Sequence, residues 1–176
     1  MVKGATGRAT SQRSLSDEIS KENKPTSDVV EHLQRQVANA FILYANYKHY
    51  HWQTFGPLFR DLHLMFDEFA TEVLATVDDF AERLRMIGQD PVFRPEEVER
   101  IATVNVSGDA GNMREMIAEA DANLLVVIKE MREAARVADD HDDPGTVDLF
   151  SRHVQIHEKH EWFLRDILEK GDGLTT

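Results

Sequence analysis

Apolar side chains recur three and four residues apart along four long stretches of the chain, the spacing that gathers them on one face of an α-helix. The first stretch runs from about Ser27 to Phe55, with Leu33, Val37, Ala40, Tyr44, Tyr47 and His51 on its stripe. Asp28 and Glu31 give it an acidic first turn, which suits the positive end of a helix. The second runs from about Leu58 to Ile87 through Leu62, Phe66, Phe69, Val73, Val77, Phe80, Leu84 and Ile87, and Gly88 stops it. The third, from about Ala110 to Asp140, carries Met113, Ile117, Ala120, Leu124, Val127, Met131 and Ala135. The fourth opens on Asp143-Pro144, a capping residue followed by proline at the first helical position, and ends near Gly171. Every proline (Pro25, Pro57, Pro91, Pro95, Pro144) lies outside these stretches or at a start.

The links within the first and last pairs are short. The middle connection, residues 88–109, is long and is expected to hold a short helix near Glu96–Ala102. No run alternates with the period of a strand, so the expected class is all-α. A four-helix bundle with a long central crossover is the ferritin-like connection pattern. Residues 1–27 are polar and rich in Ser and Thr and read as a flexible tail. The bundle then spans 28–171, and 172–176 form a short C-terminal tail.

Composition narrows the chemistry. A chain of 176 residues, 41% hydrophobic, suits one domain with a full core. Without cysteine, a disulfide scaffold, thiolate catalysis and Cys-type zinc or iron–sulfur sites are excluded. The net charge is -12, made of a tail at +2 and a body at -14. An acidic body opposes broad nucleic-acid binding and favours cations. There is no apolar run of about 18 residues, so no membrane span is expected. Met1 to Lys24 lacks an apolar signal core, which points to the cytoplasm.

The second helix carries His63, Asp67, Asp78 and Glu82. At about 100° per residue, with His63 at zero, they fall near 0°, 40°, 60° and 100°, whereas the apolar stripe centres near 275°. These side chains point away from the chain's own core. Asp67 and Asp78 are about 16 Å apart along the axis, too far for one metal ion with bonds of about 2 Å. Within one chain they are two half-sites. Both His63 with Glu82 and Asp67 with Asp78 centre midway between Glu72 and Val73. A two-fold axis there sets His63 beside the partner's Glu82 and Asp67 beside the partner's Asp78, as isologous dimers do. Leu64, Thr71, Leu74, Ala75 and Ala81 on that face suit helix–helix contact. His51, late in the first helix, can supply a further imidazole. Nitrogen and oxygen donors together suit iron, manganese or zinc better than calcium. A single-chain ferritin site needs Glu-x-x-His on two helices, and no histidine here has glutamate three residues before it.

His51-Trp52, His63-x3-Asp67 and Asp78-x3-Glu82-Arg83, with the helix pattern over about 28–170, resemble the Dps family (DNA-binding protein from starved cells, the miniferritins). The resemblance implies a homo-dodecameric hollow shell built from two-fold dimers. It implies a ferroxidase site at the dimer interface that oxidises Fe(II), preferably with hydrogen peroxide, and ferric iron stored inside. Carried over, His51, His63 and Asp67 come from one chain and Asp78 and Glu82 from its partner, holding two irons, with zinc or manganese as possible substitutes. Trp52 would lie near the iron and take up oxidising equivalents, or simply pack.

Further features have two readings each. Asp61, Glu68, Glu72 and Asp79 form an acidic stripe beside the ligand face, either a cavity wall where ferric ions nucleate or a solvated face. Asp139 to Asp143, with Asp148, resemble the family's acidic segment lining a three-fold iron pore, Asp142, Asp143 and Asp148 being the lining residues; the alternative is a charged turn with a capping aspartate. His153, His157 and His160 share the apolar side of the fourth helix, as core histidines or as extra metal ligands. Trp162 lies near that helix's end. The basic tail offers weak contact to DNA phosphates and a possible nucleoid association. Two other classes remain open: a structural DNA-compacting protein whose metal site serves dimer stability, and a metal-storage bundle without redox activity.

Overall fold

The computed structural model describes residues 26–109 and 111–169. Those residues form five helices and no strand: α1 (Ser27–Gln53), α2 (Phe59–Met86), α3 (Pro95–Ile101), α4 (Met113–Asp140) and α5 (Pro144–Glu169). α1 packs along α2 and α4 along α5, as two hairpins whose apolar faces close on one core. The all-α bundle with a short helix in its long crossover is as expected. The tail before Thr26 and the segment after Glu169 lie outside the described residues, as does the expected end of the last helix near Gly171.

All eight residues of the second stripe, from Leu62 in α2 to Ile87 at its C-terminal end, are buried. Gly88 stops that helix in a left-handed conformation, φ 80°, with Gln89 N–H bonding the Leu84 carbonyl and Gly88 N–H the Arg85 carbonyl. This is the paired C-terminal closure that glycine permits at low cost. Asp143 caps α5: its carboxylate accepts from Thr146 N–H at 3.0 Å, and Pro144 follows at the first position. α4 starts at Met113 rather than Ala110, because the Asn112 side chain accepts from Glu115 N–H and sets the cap there.

The stripe of α1 is broader than its sequence spacing suggests. Tyr44 and His51 are half-buried, whereas Leu43 and Tyr50 are buried. Gln36, Asn39 and Asn46 are buried too, because α1 also carries the crossover. Asn39 accepts from Thr103 N–H at 2.8 Å, and Asn46 both accepts from Ser107 N–H and donates to the Asn105 carbonyl. Asn123 of α4 holds Asn105 from the other side, accepting from its N–H and donating to its carbonyl. Side-chain amides thus satisfy the backbone of an irregular segment that has no ladder of its own. No helix among the described residues is long and apolar enough to cross a membrane.

Candidate metal centre

The hairpin of α1 and α2 assembles the first half-site. His51 lies in the last turn of α1 and His63 in the second turn of α2. Their rings stack with centroids 3.6 Å apart and planes 20° apart. His51 Nδ1 donates to the His63 carbonyl at 2.7 Å, and His63 Nδ1 to the His51 carbonyl at 2.8 Å. A carbonyl oxygen has no proton to give, so each Nδ1 carries the hydrogen. In each neutral ring the lone pair is then fixed at Nε2, free to ligate. Phe59 stacks on His63 at 5.2 Å and helps hold its plane.

Asp67 follows His63 by one turn. Its carboxylate accepts from Lys48 Nζ at 2.6 Å. That hydrogen bond is the main reason the Asp67 carboxyl is held below the usual carboxylate range, with the ammonium charge adding to it. Lys48 was not evident as a site residue in the sequence. Its only signal is its place one turn before His51 on α1. It balances the Asp67 charge.

Asp78 and Glu82 stand exposed further along α2. Among the described residues, no three His, Asp or Glu side chains of the chain converge on one point that could hold a metal ion. His51 and His63 are in contact and both bear electrostatically on Asp67, but the three do not close on one point, and Asp78 and Glu82 lie eleven or more residues further along α2. Leu64, within the first group, and Leu74, between the two groups, are 42% and 44% exposed, with Thr71 and Ala75 between the groups also exposed. Trp52, beside His51, is 68% exposed, so within one chain it is not a core residue.

The acidic stripe divides. Asp61 and Glu68 are exposed, but Glu72 and Asp79 each meet a histidine of α5. At the turn before α5, Asp139, Asp140, His141 and Asp142 are exposed, and Asp142 takes φ 54°, which aspartate tolerates. Asp143 differs from them. Arg83 Nη2 lies 2.5 Å from its Oδ1, and Thr146 bonds both its oxygens. Its carboxylate is committed to cap α5 and anchor α2. Asp148 pairs with Arg152 at 3.0 Å on the surface.

His153, His157 and His160 are all buried. Burial pushes the His157 imidazole down to about 3 and His160 to about 4, and lowers His153. These rings are neutral in the fold at neutral pH.

The bundle defines the class of protein first. Residues 30–174 match the ferritin-like domain family. The chain is 35% identical to DNA protection during starvation protein 1 of Deinococcus radiodurans, over 84% of this chain and 72% of that one. It is 33% identical to the DNA protection during starvation protein of Brevibacillus brevis, over 78% of this chain and 92% of the relative. The X-ray structure of Dps from Thermosynechococcus elongatus superimposes with a TM-score of 0.80 at 48% identity, covering 84% of this chain and 94% of that one. The chain belongs to the Dps family.

Proposed function

We propose that this protein is a ferroxidase miniferritin of the cytoplasm. It oxidises Fe(II), preferably with hydrogen peroxide, and stores the ferric product inside a shell of twelve copies. The observation that carries this reading is the reciprocal His51–His63 lock, which ties up both Nδ1 atoms and leaves Nε2 as the ligating nitrogen of two imidazoles within electrostatic reach of Asp67. Structural histidines have no need for free Nε2 atoms beside a carboxylate on an exposed face. Asp78 and Glu82 of a partner, brought in by the two-fold axis near Glu72–Val73, complete the donor set for two iron ions.

Iron is the substrate here. Two Fe(II) ions each give up one electron, the O–O bond of hydrogen peroxide breaks, and the two oxygens leave as hydroxide or as ligands of the ferric product. Because both electrons leave together, hydroxyl radical is not released, and that protects DNA. The residues' task is to hold two cations close enough for a joint transfer. Trp52, next to His51 in the chain, would give up an electron if only one iron is bound. Exposed Asp142 and Asp148 near the α4–α5 turn would draw Fe(II) toward a three-fold pore. Glu68, with Glu72, would offer carboxylates where ferric ions collect.

Mixing two inactive proteins tests the shared site. Chains carrying His63→Ala and Asp67→Ala lose one half of each site, and chains carrying Asp78→Ala lose the other. Each parent should show little fast oxidation in stopped flow. After dissociation and random reassembly of equal amounts, about a quarter of sites combine an intact half from each parent, so about a quarter of the activity should return. Assembled mixtures with no activity beyond that of the parents would rule out the shared geometry. Structural compaction of DNA is the second reading, favoured if the protein retards DNA but does not oxidise Fe(II).

A further inference from the structure

Two carboxylates of α2 outside the shared site each meet an imidazole of α5. His160 Nε2 lies 2.7 Å from Glu72 Oε2, and His153 Nε2 lies 3.0 Å from Asp79 Oδ2. The partners are seven residues apart on both helices, so the pairs repeat along one seam after about two turns, or about 10 Å. Each pair has a dry end and a wet end. His160 and His153 are 0% and 4% exposed, whereas the Glu72 and Asp79 side chains are 40% and 46% exposed. His153 has the separation of a hydrogen bond but not its direction, and both its ring nitrogens lack a hydrogen-bond partner.

Two donor atoms bound at about 2.1 Å and roughly at right angles on one metal ion lie about 3 Å apart. Both pairs have that bite. Between them, His157 is 1% exposed with neither ring nitrogen hydrogen-bonded, and its ring stands perpendicular to His160 at 6.1 Å. A leucine would fill that core position without burying two unpartnered polar atoms. Three imidazoles on the core face of one helix, with carboxylates at its rim, form a nitrogen–oxygen donor set rather than a plain acidic surface.

We propose that the α2–α5 seam is a second metal-binding region, in which Glu72 with His160, and Asp79 with His153, each take one divalent ion of the iron, cobalt or zinc class. Water completes the coordination at the exposed end. Glu72 borders an open groove on either side, with Glu68 and Thr71 on one and Ala75 and Ile156 on the other, so an ion reaches it without opening the bundle. His160 is neutral near pH 7; its Nε2 becomes a ligand when the ring proton sits on Nδ1, which has no other partner. Lys159, 3.4 Å from Glu72, is exposed and free to swing aside.

The test uses Co(II) on the full-length, metal-free assembly carrying His51→Ala and His63→Ala, which removes the imidazoles of the shared site. Equilibrium dialysis and visible absorption should find about two Co(II) per chain with nitrogen ligation. Glu72→Gln or His160→Gln should remove about one of them, and Asp79→Asn or His153→Gln the other. Glu72→Gln and Asp79→Asn change half-exposed groups, so they report even if a core histidine variant fails to assemble. Glu99→Gln, an exposed carboxylate on α3 away from the seam, should leave the count unchanged. Absence of Co(II) from the double-alanine assembly, or equal loss with Glu99→Gln and Glu72→Gln, would overturn the proposal. The outcome does not depend on whether the shared site oxidises iron.

Discussion

Acid should unfold this protein earlier than its carboxylates alone require, because α5 buries histidines in their neutral form. His157 is lowered from 6.5 to about 3 and His160 from 6.5 to about 4, in both cases chiefly by desolvation. The unfolded chain binds these protons first, so stability is whole above pH 6.5 and falls as pH drops. The His160 contribution is fully lost near pH 4 and that of His157 near pH 3. Between the unfolded and folded values, each pH unit costs about 1.4 kcal/mol per histidine. At pH 5, about 1.5 pH units below the unfolded value, the cost is about 2 kcal/mol apiece, or about 4 kcal/mol per chain. Against a total of about 5–15 kcal/mol for a domain, that is a large share.

His157→Leu isolates one of these contributions. Leucine is close in volume, and no hydrogen bond is lost because both ring nitrogens of His157 lack partners. Stability at pH 7.5 should hold or rise. Between pH 6 and pH 4 the variant should lose about 1.4 kcal/mol less per pH unit than the parent, a lead of about 2 kcal/mol at pH 5. Urea unfolding followed by circular dichroism, at one protein concentration and without metal from pH 7.5 to 4.5, measures both curves. Parallel curves would mean that the His157 proton does not drive acid unfolding.

Asp143→Ala removes the cap of α5 and leaves half-buried Arg83 without its carboxylate; a loss of about 2–3 kcal/mol is expected, seen as a lower Tm, with Asp143→Asn milder because it keeps a capping oxygen. Asp142→Asn with Asp148→Asn should slow Fe(II) oxidation at low iron and flatten its dependence on ionic strength, with no change in assembled size; identical stopped-flow traces at every salt concentration would remove the pore role. Deleting residues 1–24 should leave Fe(II) oxidation intact, and retardation of DNA by the whole protein should vanish between about 50 and 200 mM salt. Tight retardation at 200 mM that truncation abolishes would instead favour DNA compaction.

The helices and the α2 core face were legible because one period governs them: Leu62 to Ile87 all fall where the 3.6 repeat puts them. The proposed shared site rests on spacing, since four ligand-type residues turned roughly 85° or more from the core stripe have little structural use. What spacing does not carry is pairing across elements. Asn39, Asn46 and Asn123 read as indifferent polar residues until the crossover lies against them. Lys48 reads as a surface cation until α2 places Asp67 2.6 Å away. Asp143 belonged to an acidic run by sequence, but its partners Arg83 and Thr146 give it a different task from Asp142.

The division of labour on α2 explains why the proposed oxidising centre would sit between chains. One side of that helix is filled by Phe66, Phe69, Val73 and Phe80, closing the bundle core. A single-chain centre would have to put carboxylates among them, at a desolvation cost that only bound metal offsets. Turning the ligands away from that side keeps the core apolar and the metal-free fold stable. The consequence is incompleteness: His51, His63 and Asp67 stand on one end of the face and Asp78 and Glu82 on the other, Asp78 about 16 Å beyond Asp67. In the proposed dimer a two-fold partner would join both ends in one contact, with exposed Leu64 beside His63 and exposed Leu74 between the ends as apolar surface for it. On the proposed reading, oxidation depends on assembly, so Fe(II) would be handled only where a shell exists to receive the ferric product. A lone chain with half a centre would then release no ferric iron into solution.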